Sequence, residues 1–229
     1  MYKTIFIDLD DTLWDTRANG KESMEEVFRD YGFDRFFPDF ESFYDIYYPN
    51  NMELWRQYRN GEISKEKLIV DRLRIPLEPY MKCDEKFILS LNEDFLKRTT
   101  LRKKLIPYTI DILEYLYPKY QLYIISNGFE EVQHKKMENS NLIKYFDKII
   151  LSDKIGVNKP HPLIFQEAIK IAQSSEKESI MIGDSWDADI QGAKNAGIDQ
   201  IWLDLGYEKQ GNFTPTHRIK SLIEIQDIL

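Results

Sequence analysis

Near its N-terminus the chain carries a short apolar run that ends in three carboxylates, and this feature constrains the fold most. The run Thr4–Ile7 is β-branched and aromatic, and Asp8, Asp10 and Asp11 follow it. An apolar run without alternation favours a strand that is buried on both faces of a parallel sheet. The carboxyl end of such a strand is where open α/β sheets bind ligands, although an acidic turn without a function is the alternative. Because neighbouring carboxylates repel one another, we expect a cation or a bound ligand at this turn.

The part of the chain that begins at Pro107 alternates between strand-like and helix-like segments. Apolar runs at 122–125, 148–151, 179–182 and 201–203 predict strands, and the segments 108–117, 130–139, 162–172 and 187–195 predict helices. Strands that alternate with helices of this length indicate βαβ units. We therefore predict an α/β fold whose core is a Rossmann-like, doubly wound parallel sheet.

Between these two parts lies a charged, helix-like stretch with few strand signals. Its residues Met24, Val27, Phe28 and Tyr31 have the i, i+3, i+4, i+7 spacing of an amphipathic helix. The predicted organisation is a core domain of residues 1–14 and 103–229, with an all-helical domain of residues 15–102 inserted after the first strand. The insert is rich in aromatic residues, which form either a packed core or a surface on which a nucleobase stacks.

The composition argues against several classes of function. The 229-residue chain has a formal charge of −8, which disfavours binding to nucleic acid polymers or to anionic membranes. Cys83 is the single cysteine, so neither an internal disulfide nor a cysteine-based metal site is expected. Because the sequence has no signal-peptide pattern and no long apolar span, we expect a cytoplasmic protein. We also expect the protein to be a monomer or a small homo-oligomer.

Polar residues follow several of the predicted strands. In a parallel sheet the carboxyl ends of the strands share one edge, so these residues are expected to lie together. They are Asp8, Asp10, Thr12, Ser126, Asn127, Gly128, Lys159 and Asp184. Carboxylates, a hydroxyl, backbone amides near a glycine and a lysine suit phosphoryl transfer, which needs a nucleophile, a proton carrier and positive charge around the transferred group.

These residues resemble, in order, the four sequence motifs of the haloacid dehalogenase (HAD) superfamily. The matching segments are Asp8-x-Asp10-x-Thr12, Ser126-Asn127-Gly128, Lys159-Pro160 and Gly183-Asp184-Ser185-x-x-x-Asp189. The helical insert after the first motif resembles the type-1 cap of that superfamily, so the resemblance covers nearly the whole chain. Dehalogenases of the superfamily lack an aspartate at the position of Asp10, and its presence here therefore implies phosphate-ester chemistry.

The resemblance implies a role for each matching residue. Asp8 is expected to be the nucleophile that forms an aspartyl-phosphate, Asp10 the general acid and base, and Lys159 the third catalytic residue. The expected substrate-binding residues are Thr12, Ser126, Asn127, Gly128 and Lys159.

The resemblance also implies a Mg²⁺ site at the same edge of the sheet. Its expected ligands are Asp8, the backbone carbonyl of Asp10, and Asp184, because Mg²⁺ prefers oxygen ligands. Ser185 and Asp189 are expected to support these ligands from behind, with Asp187 as an alternative to Asp189.

A longer stretch around the second motif narrows the expected substrate. The segments Ser126-Asn127-Gly128-Phe129-Glu130-x-Val132-Gln133-x-Lys135, Leu142-x-x-Tyr145-Phe146-Asp147 and Val157-x-Lys159-Pro160 carry this resemblance. They resemble the branch of bacterial HAD 5′-nucleotidases that act on noncanonical pyrimidine nucleoside monophosphates. The alternatives are a phosphatase for another small metabolite, such as phosphoglycolate or a sugar phosphate, a phosphomutase, and a non-enzymatic binding protein. In the enzyme hypotheses the helical cap is expected to move on the connections 15–19 and 98–105.

Overall fold

The computed structural model describes the whole chain, Met1–Leu229, which divides into two compact units. Residues 1–16 and 103–229 form the first, here called the sheet unit, and residues 17–102 form the second, the helical unit. In chain order the helices are α1 Thr16–Asp30, α2 Phe40–Arg59, α3 Lys65–Leu77, α4 Glu85–Leu101, α5 Thr109–Leu116, α6 Glu130–Asn139, α7 Ser152–Ile155, α8 Pro162–Ala172 and α9 Gly192–Asn195.

The sheet unit is built on a six-stranded sheet in which all neighbouring strands are parallel. Its strands are β1 Thr4–Ile7, β2 Gln121–Ser126, β3 Lys148–Leu151, β4 Ser179–Gly183, β5 Asp199–Leu203 and β6 His217–Ile219. Their order, β3-β2-β1-β4-β5-β6, reverses direction between β1 and β4, as in a doubly wound sheet. The predicted α/β fold is confirmed.

One strand and one helix at the C-terminal side of the sheet unit differ from the sequence prediction. Strand β6 was not predicted, because His217-Arg218-Ile219 is short and mostly polar, as is usual at a sheet edge. The predicted helix 187–195 is two segments, a widely wound one at Trp186–Gln191 and then α9. In the first segment the Ile190 amide donates to the Ser185 carbonyl at 3.3 Å, five residues back, instead of four.

The register of the sheet sets where the functional residues lie. Ile7 of β1 pairs with Ile124 of β2 on one side and with Ile182 of β4 on the other. The carboxyl ends of these three central strands are therefore level with one another. Residues that follow β1, β2 and β4 in the sequence meet at this edge.

Both faces of the sheet are covered, which explains why β1 is apolar without alternation. Ile5 and Ile7 point into one core, which includes Ile112 and Leu116 of α5. Phe6 points into the opposite core, together with residues of α8 and α9. Phe6 is fully buried, and the other residues of β1 are buried as well. An unpaired polar side chain in this strand would therefore cost free energy.

The helical unit consists of α1–α4 around a separate apolar core. Phe43 of α2 is fully buried at its centre, with its ring centroid 5.7 Å from that of Phe28 and 5.2 Å from that of Phe37. The aromatic stretch is therefore largely packed core. Tyr44 and Tyr48 are half-buried, and their rings stack at 5.4 Å.

Two aspartates and a serine begin helices of this unit. The side chains of Asp39, Ser64 and Asp84 each accept a hydrogen bond from a backbone amide in the first turn of α2, α3 and α4, respectively. None of the helices in the chain combines the length and the apolar character that crossing a membrane requires.

Candidate active site

The turn that follows β1 carries the first two predicted site residues. The Asp8 amide donates to the Ile182 carbonyl at 2.9 Å, so sheet pairing extends one residue past the strand. The turn then closes through hydrogen bonds from the Trp14 amide to the Leu9 carbonyl and from the Asp11 amide to the Trp14 carbonyl, at 2.9 and 2.8 Å. Asp11 has a φ of 60°, a left-handed conformation that aspartate tolerates. The Asp8 side chain is thereby buried at the edge of the sheet.

Lys159 is buried in the sheet unit and binds two carboxylates. Its Nζ donates to Asp8 Oδ1 at 2.6 Å, to Asp189 Oδ1 at 2.6 Å and to the Ile125 carbonyl at 2.7 Å. Only 2% of the Lys159 side chain is exposed. All three donor positions of the ammonium group are thus used, and a buried charge held in this way is fixed in position.

Asn127 holds the backbone of Lys159. Its Nδ2 donates to the Lys159 carbonyl at 2.9 Å, and its Oδ1 accepts from the Lys159 amide at 2.8 Å. The peptide bond between Lys159 and Pro160 is cis. The predicted substrate-binding residue Asn127 therefore has its side chain directed at the loop that carries Lys159.

Three carboxylates converge at the same edge of the sheet. Oxygen atoms of Asp8, Asp184 and Asp189 all lie within 4.8 Å of one another. Thr12 links two of these residues, because its Oγ1 donates to Asp184 Oδ1 at 2.9 Å and also lies 3.4 Å from Asp8 Oδ2. The same Oγ1 accepts from the Asp184 amide at 3.1 Å. Asp189 was expected to support the metal ligands from behind, and its carboxylate is itself one of the three in the cluster.

Burial, together with repulsion between neighbouring carboxylates, raises the pKa values of Asp8 and Asp184. Burial raises the pKa of Asp8 to about 7, even though the Lys159 ammonium opposes that rise. Burial and the charges of Asp8 and Asp189 raise the pKa of Asp184 well above its usual range. A buried and a half-buried carboxyl group whose ionised forms are disfavoured are suitable ligands for a cation.

Asp189 can reach this cluster because the turn after β4 begins with a glycine. A Cβ atom on Gly183 would lie 2.3 Å from Asp189 Oδ2, so no other residue leaves room for that carboxylate. The Ser185 amide donates to Asp189 Oδ2 at 3.2 Å. The wide turns of Trp186–Gln191 direct Asp189 inward, where it is 1% exposed, while Asp187 is exposed.

The Asp10 carboxylate is held apart from this cluster by three donors. Lys136 Nζ donates to its Oδ1 at 2.6 Å, Thr16 Oγ1 to the same oxygen at 2.7 Å, and Gln133 Nε2 to its Oδ2 at 2.6 Å. Burial alone would raise the pKa of Asp10, but the Lys136 ammonium and these hydrogen bonds outweigh burial and lower that pKa. Asp10 is consequently an ionised, firmly oriented carboxylate.

Ser126, at the end of β2, belongs to the same network. Its Oγ accepts from the Gly128 amide at 3.1 Å and from Gln133 Nε2 at 2.7 Å. A Cβ atom on Gly128 would lie 2.3 Å from Gln133 Nε2, so the glycine makes room for the glutamine. Gln133 therefore connects Ser126 to Asp10.

Gln133 and Lys136 were not among the predicted site residues. Gln133 lies in a segment that carries the family resemblance, whereas a lysine on a polar helix is typical of a solvated face. Both side chains project from α6 and are buried, at spacing i, i+3, which places them on one face of the helix. The signal available in the sequence was this shared face, directly after the second motif.

Taken as a set, the charged groups of the site are unbalanced. The carboxylates are those of Asp8, Asp10, Asp184 and Asp189, and the ammonium groups are those of Lys136 and Lys159. Two carboxylates thus have no ammonium group to match them, and one divalent cation would supply the missing positive charge. The edge of the sheet combines a buried carboxylate next to an ammonium group, a second carboxylate with its own donors, and carboxylate oxygens close enough together to bind a metal.

Comparison with known proteins gives matches over the whole chain. Pyrimidine 5′-nucleotidase PynA of Streptococcus pneumoniae is 29% identical, covering 100% of this chain and 95% of PynA. A glyceraldehyde 3-phosphate phosphatase of Pyrococcus abyssi is 32% identical, covering 90% of this chain and 83% of that protein. The crystal structure of the HAD-hydrolase YfnB of Bacillus subtilis matches this chain with a TM-score of 0.89 at 28% identity, covering 99% of this chain and 98% of YfnB. That structure is bound to magnesium and is described as revealing interdomain movement.

The family model of the haloacid dehalogenase-like hydrolases matches residues 5–203, which include the strand-end carboxylates, Lys159 and the turn at Asp184. That range is well over half of the chain, and the resemblance noted in the sequence motifs is confirmed. This chain belongs to the haloacid dehalogenase-like hydrolase family.

Proposed function

We propose that this protein hydrolyses phosphomonoesters through an aspartyl-phosphate on Asp8. The observation that carries the proposal is the buried contact of Asp8 with Lys159, 2.6 Å between Oδ1 and Nζ, at the carboxyl end of β1. In the first step a carboxylate oxygen of Asp8 bonds to phosphorus, and the bond from phosphorus to the ester oxygen breaks. In the second step water attacks phosphorus, the acyl-phosphate bond breaks, and the Asp8 carboxylate is restored with release of phosphate.

Asp10 is proposed to carry the proton in both steps. In the first step the Asp10 carboxylate takes the proton carried by the phosphate monoanion and passes it to the leaving oxygen. In the second step it takes a proton from the attacking water and returns it to the released phosphate. Its hydrogen-bonding partner Gln133 also contacts Ser126, a proposed phosphate-binding residue. This link supports a position for Asp10 close to the transferred group.

The remaining predicted residues are proposed to bind the phosphate or to hold those that do. Ser126 and the amide of Gly128 lie at the end of β2 and offer hydrogen bonds to phosphate oxygens, while Lys159 supplies positive charge. Thr12 is proposed to fix the turn, since it already joins Asp184 to the first motif. Asn127 is proposed to act through its two contacts with the Lys159 backbone.

Mg²⁺ is the proposed cofactor, and the residues present fit it. Asp8, Asp184 and the Asp10 carbonyl are the proposed ligands, with Asp189 and Ser185 supporting them. The fit rests on the oxygen atoms of Asp8, Asp184 and Asp189, which lie within 4.8 Å of one another. A divalent cation would favour the ionised forms of Asp8 and Asp184, whose pKa values are raised. When bound, Mg²⁺ would neutralise charge on the phosphoryl oxygens and orient them.

The proposed substrates are pyrimidine nucleoside 5′-monophosphates. The similarity to the nucleotidase PynA over the full length of this chain supports this choice. The second candidate is a small phosphorylated metabolite, favoured by the 32% identity to the glyceraldehyde 3-phosphate phosphatase. We further propose that residues 15–102 form a cap that selects between such substrates and moves between turnovers, as the YfnB structure suggests by its interdomain movement.

The test is phosphate release by the wild-type protein from a matched panel of esters, with Mg²⁺ and with excess chelator. The panel contains pyrimidine and purine nucleoside monophosphates, phosphoglycolate and glyceraldehyde 3-phosphate. We expect Mg²⁺-dependent turnover with the highest kcat/KM for a pyrimidine nucleoside monophosphate. A preference for one of the small metabolites would replace the substrate and keep the mechanism, whereas no turnover of any ester would overturn the proposed function.

A further inference from the structure

We propose that Lys136 is a positioning residue for this reaction, which acts by holding the Asp10 carboxylate where proton transfer occurs. The inference rests on the proposed function, because it assigns to Asp10 the proton transfers of phosphoester hydrolysis. Lys136 binds the proposed proton carrier Asp10 and is not proposed to contact the substrate. Its effect on the reaction passes through Asp10.

The first observation is that the Lys136 ammonium group is buried and bound at a defined place. Its side chain is 7% exposed, and its Nζ lies 2.6 Å from Asp10 Oδ1. The same Nζ lies 4.5 Å from the ring centre of Trp14, an attractive arrangement of a cation over an aromatic face. A lysine in these surroundings has little of the rotational freedom that it has on a surface.

The second observation is that Trp14, whose ring packs against the Lys136 ammonium group, is held by burial and by a hydrogen bond. Trp14 is fully buried, and its Nε1 donates to Ser140 Oγ at 3.1 Å, just past the C-terminus of α6. The backbone of Trp14 closes the turn that carries Asp10, through the hydrogen bonds to Leu9 and Asp11. The turn after β1 and helix α6 are therefore joined around the Lys136 ammonium group.

The third observation is that the two buried lysines of the site bind different carboxylates. Lys159 binds Asp8 and Asp189, whereas Lys136 binds Asp10. Without a positive charge of its own, the Asp10 carboxylate would lie near the other carboxylates with only the neutral donors Thr16 and Gln133. The charges of Asp8 and Asp10 repel each other, so without Lys136 the Asp10 carboxylate is expected to move away from its present position.

These observations define what the loss of Lys136 does. A proton carrier works only when it is within hydrogen-bond reach of the oxygen that it serves. An ester whose leaving group is a strong base, such as an alkoxide, needs that proton. An ester whose leaving group is a stable anion, such as p-nitrophenolate, does not need it.

The test compares kcat/KM of the wild-type protein and of Lys136→Met, which removes the charge and keeps a long side chain. The substrates are a pyrimidine nucleoside monophosphate, phenyl phosphate and p-nitrophenyl phosphate. Since general acid–base catalysis is worth about 10²–10⁴ in rate, we expect a loss of about tenfold or more for the nucleotide. The kcat/KM of Lys136→Met should fall further for phenyl phosphate than for p-nitrophenyl phosphate. The two substrates differ mainly in the leaving group.

A double-mutant cycle with Asp10→Asn provides the second readout. If Lys136 acts through Asp10, adding Lys136→Met to Asp10→Asn should lower kcat/KM for the nucleotide by less than about threefold, because coupled residues are not additive. Lys135→Met is the matched control, since Lys135 is exposed on the same helix, and it should retain wild-type kinetics. Thermal unfolding shows whether each variant is folded. If Lys136→Met is not folded, Lys136→Gln replaces it in the same comparisons, and a smaller loss of kcat/KM is expected.

The outcomes separate this inference from the proposed function. An active wild-type protein whose Lys136→Met variant loses equal activity on both aryl phosphates, or loses as much in the Asp10→Asn background, would overturn the positioning role alone. Unchanged or increased activity of Lys136→Met would overturn it too. A wild-type protein that is inactive on every ester would overturn the proposed function, and the role of Lys136 with it.

Discussion

Lys159 Nζ donates to Asp8 Oδ1 at 2.6 Å, although the two residues lie 151 positions apart in the sequence. Asp8 follows β1, the central strand, and Lys159 follows β3, at the edge of the sheet. The contact forms because the parallel strands end at one edge and because Asn127 holds the backbone of the Lys159 loop.

Asp189 is expected to be essential for stability and activity, because it is the second carboxylate on Lys159. Asp189→Asn should lower the free energy of unfolding by about 3 kcal/mol, the typical effect of breaking a buried ion pair. Phosphate release should fall as well, since Lys159 loses one of its anchors. Chemical denaturation and steady-state kinetics measure both effects.

Asp187→Asn is the matched control for that variant, because Asp187 lies two positions away and is exposed. Its stability should stay within about 0.5 kcal/mol of the wild type, as for most surface substitutions. The reverse result, an intact Asp189→Asn and a damaged Asp187→Asn, would mean that Asp187 supports the site instead.

Mg²⁺ is expected to stabilise the folded protein, since the cation would offset the repulsion between Asp8 and Asp184. A ligand present at 100 times its dissociation constant adds about 2.7 kcal/mol to the free energy of unfolding. For a domain of this size each kcal/mol raises the melting temperature by about 2–4 °C, which calorimetry resolves easily.

In Asp184→Asn this response to Mg²⁺ should be strongly reduced, because a charged ligand is lost. The variant without Mg²⁺ should melt no lower than the wild type without Mg²⁺, because one of the repelling carboxylates is gone. An equal rise in melting temperature for both proteins would place the cation elsewhere.

Gly183 is expected to be irreplaceable, because a Cβ atom there would lie 2.3 Å from Asp189 Oδ2 and 2.5 Å from Asp189 Cβ. Gly183→Ala should displace Asp189 from Lys159, with a cost of about 1–3 kcal/mol for overpacking and a fall in activity. Gly20→Ala provides the contrast, since Gly20 lies inside α1 with no atom within 4 Å of an added Cβ. That change should stabilise the protein by about 0.5–1 kcal/mol, and a destabilisation equal to that of Gly183→Ala would contradict the steric argument.

The helical unit is expected to depend on Phe43, the fully buried ring at the centre of its aromatic core. Phe43→Ala should cost about 3–5 kcal/mol, through lost burial and the cavity left behind. Ile46→Ala, in the same helix but exposed, should change stability by less than about 0.5 kcal/mol. Comparable losses from both variants, measured by denaturant unfolding, would mean that Ile46 is covered in solution.

The strand-end residues were predictable because a parallel sheet converts positions in the sequence into positions in space. Asp8 and Asp184 follow strands whose apolar runs are unmistakable, and the register brings those strand ends level. A local pattern and one topological rule were therefore sufficient to bring Asp8 and Asp184 together.

Lys136 and the wide turns before α9 were not predictable in the same way. A lysine on a polar helix is usually solvated, and only the packing of α6 beside the turn of Trp14 makes this one buried. The helix predicted at 187–195 is wound differently because Asp189 turns inward to Lys159 and the Ile190 amide reaches back to Ser185. In both places a tertiary contact overrides the local preference, as is common at functional sites.

The most direct test of the central claim is to trap the phosphoryl group on Asp8. The protein is mixed with Mg²⁺ and its best nucleoside monophosphate, quenched in acid within milliseconds, and analysed by mass spectrometry of the intact chain and of its peptides. We predict a transient phosphorylated species whose modified peptide contains Asp8, absent with chelator and absent in Asp8→Asn. Release of phosphate by the wild type without any phosphorylated species, or by Asp8→Asn at a comparable rate, would contradict the proposed role of Asp8.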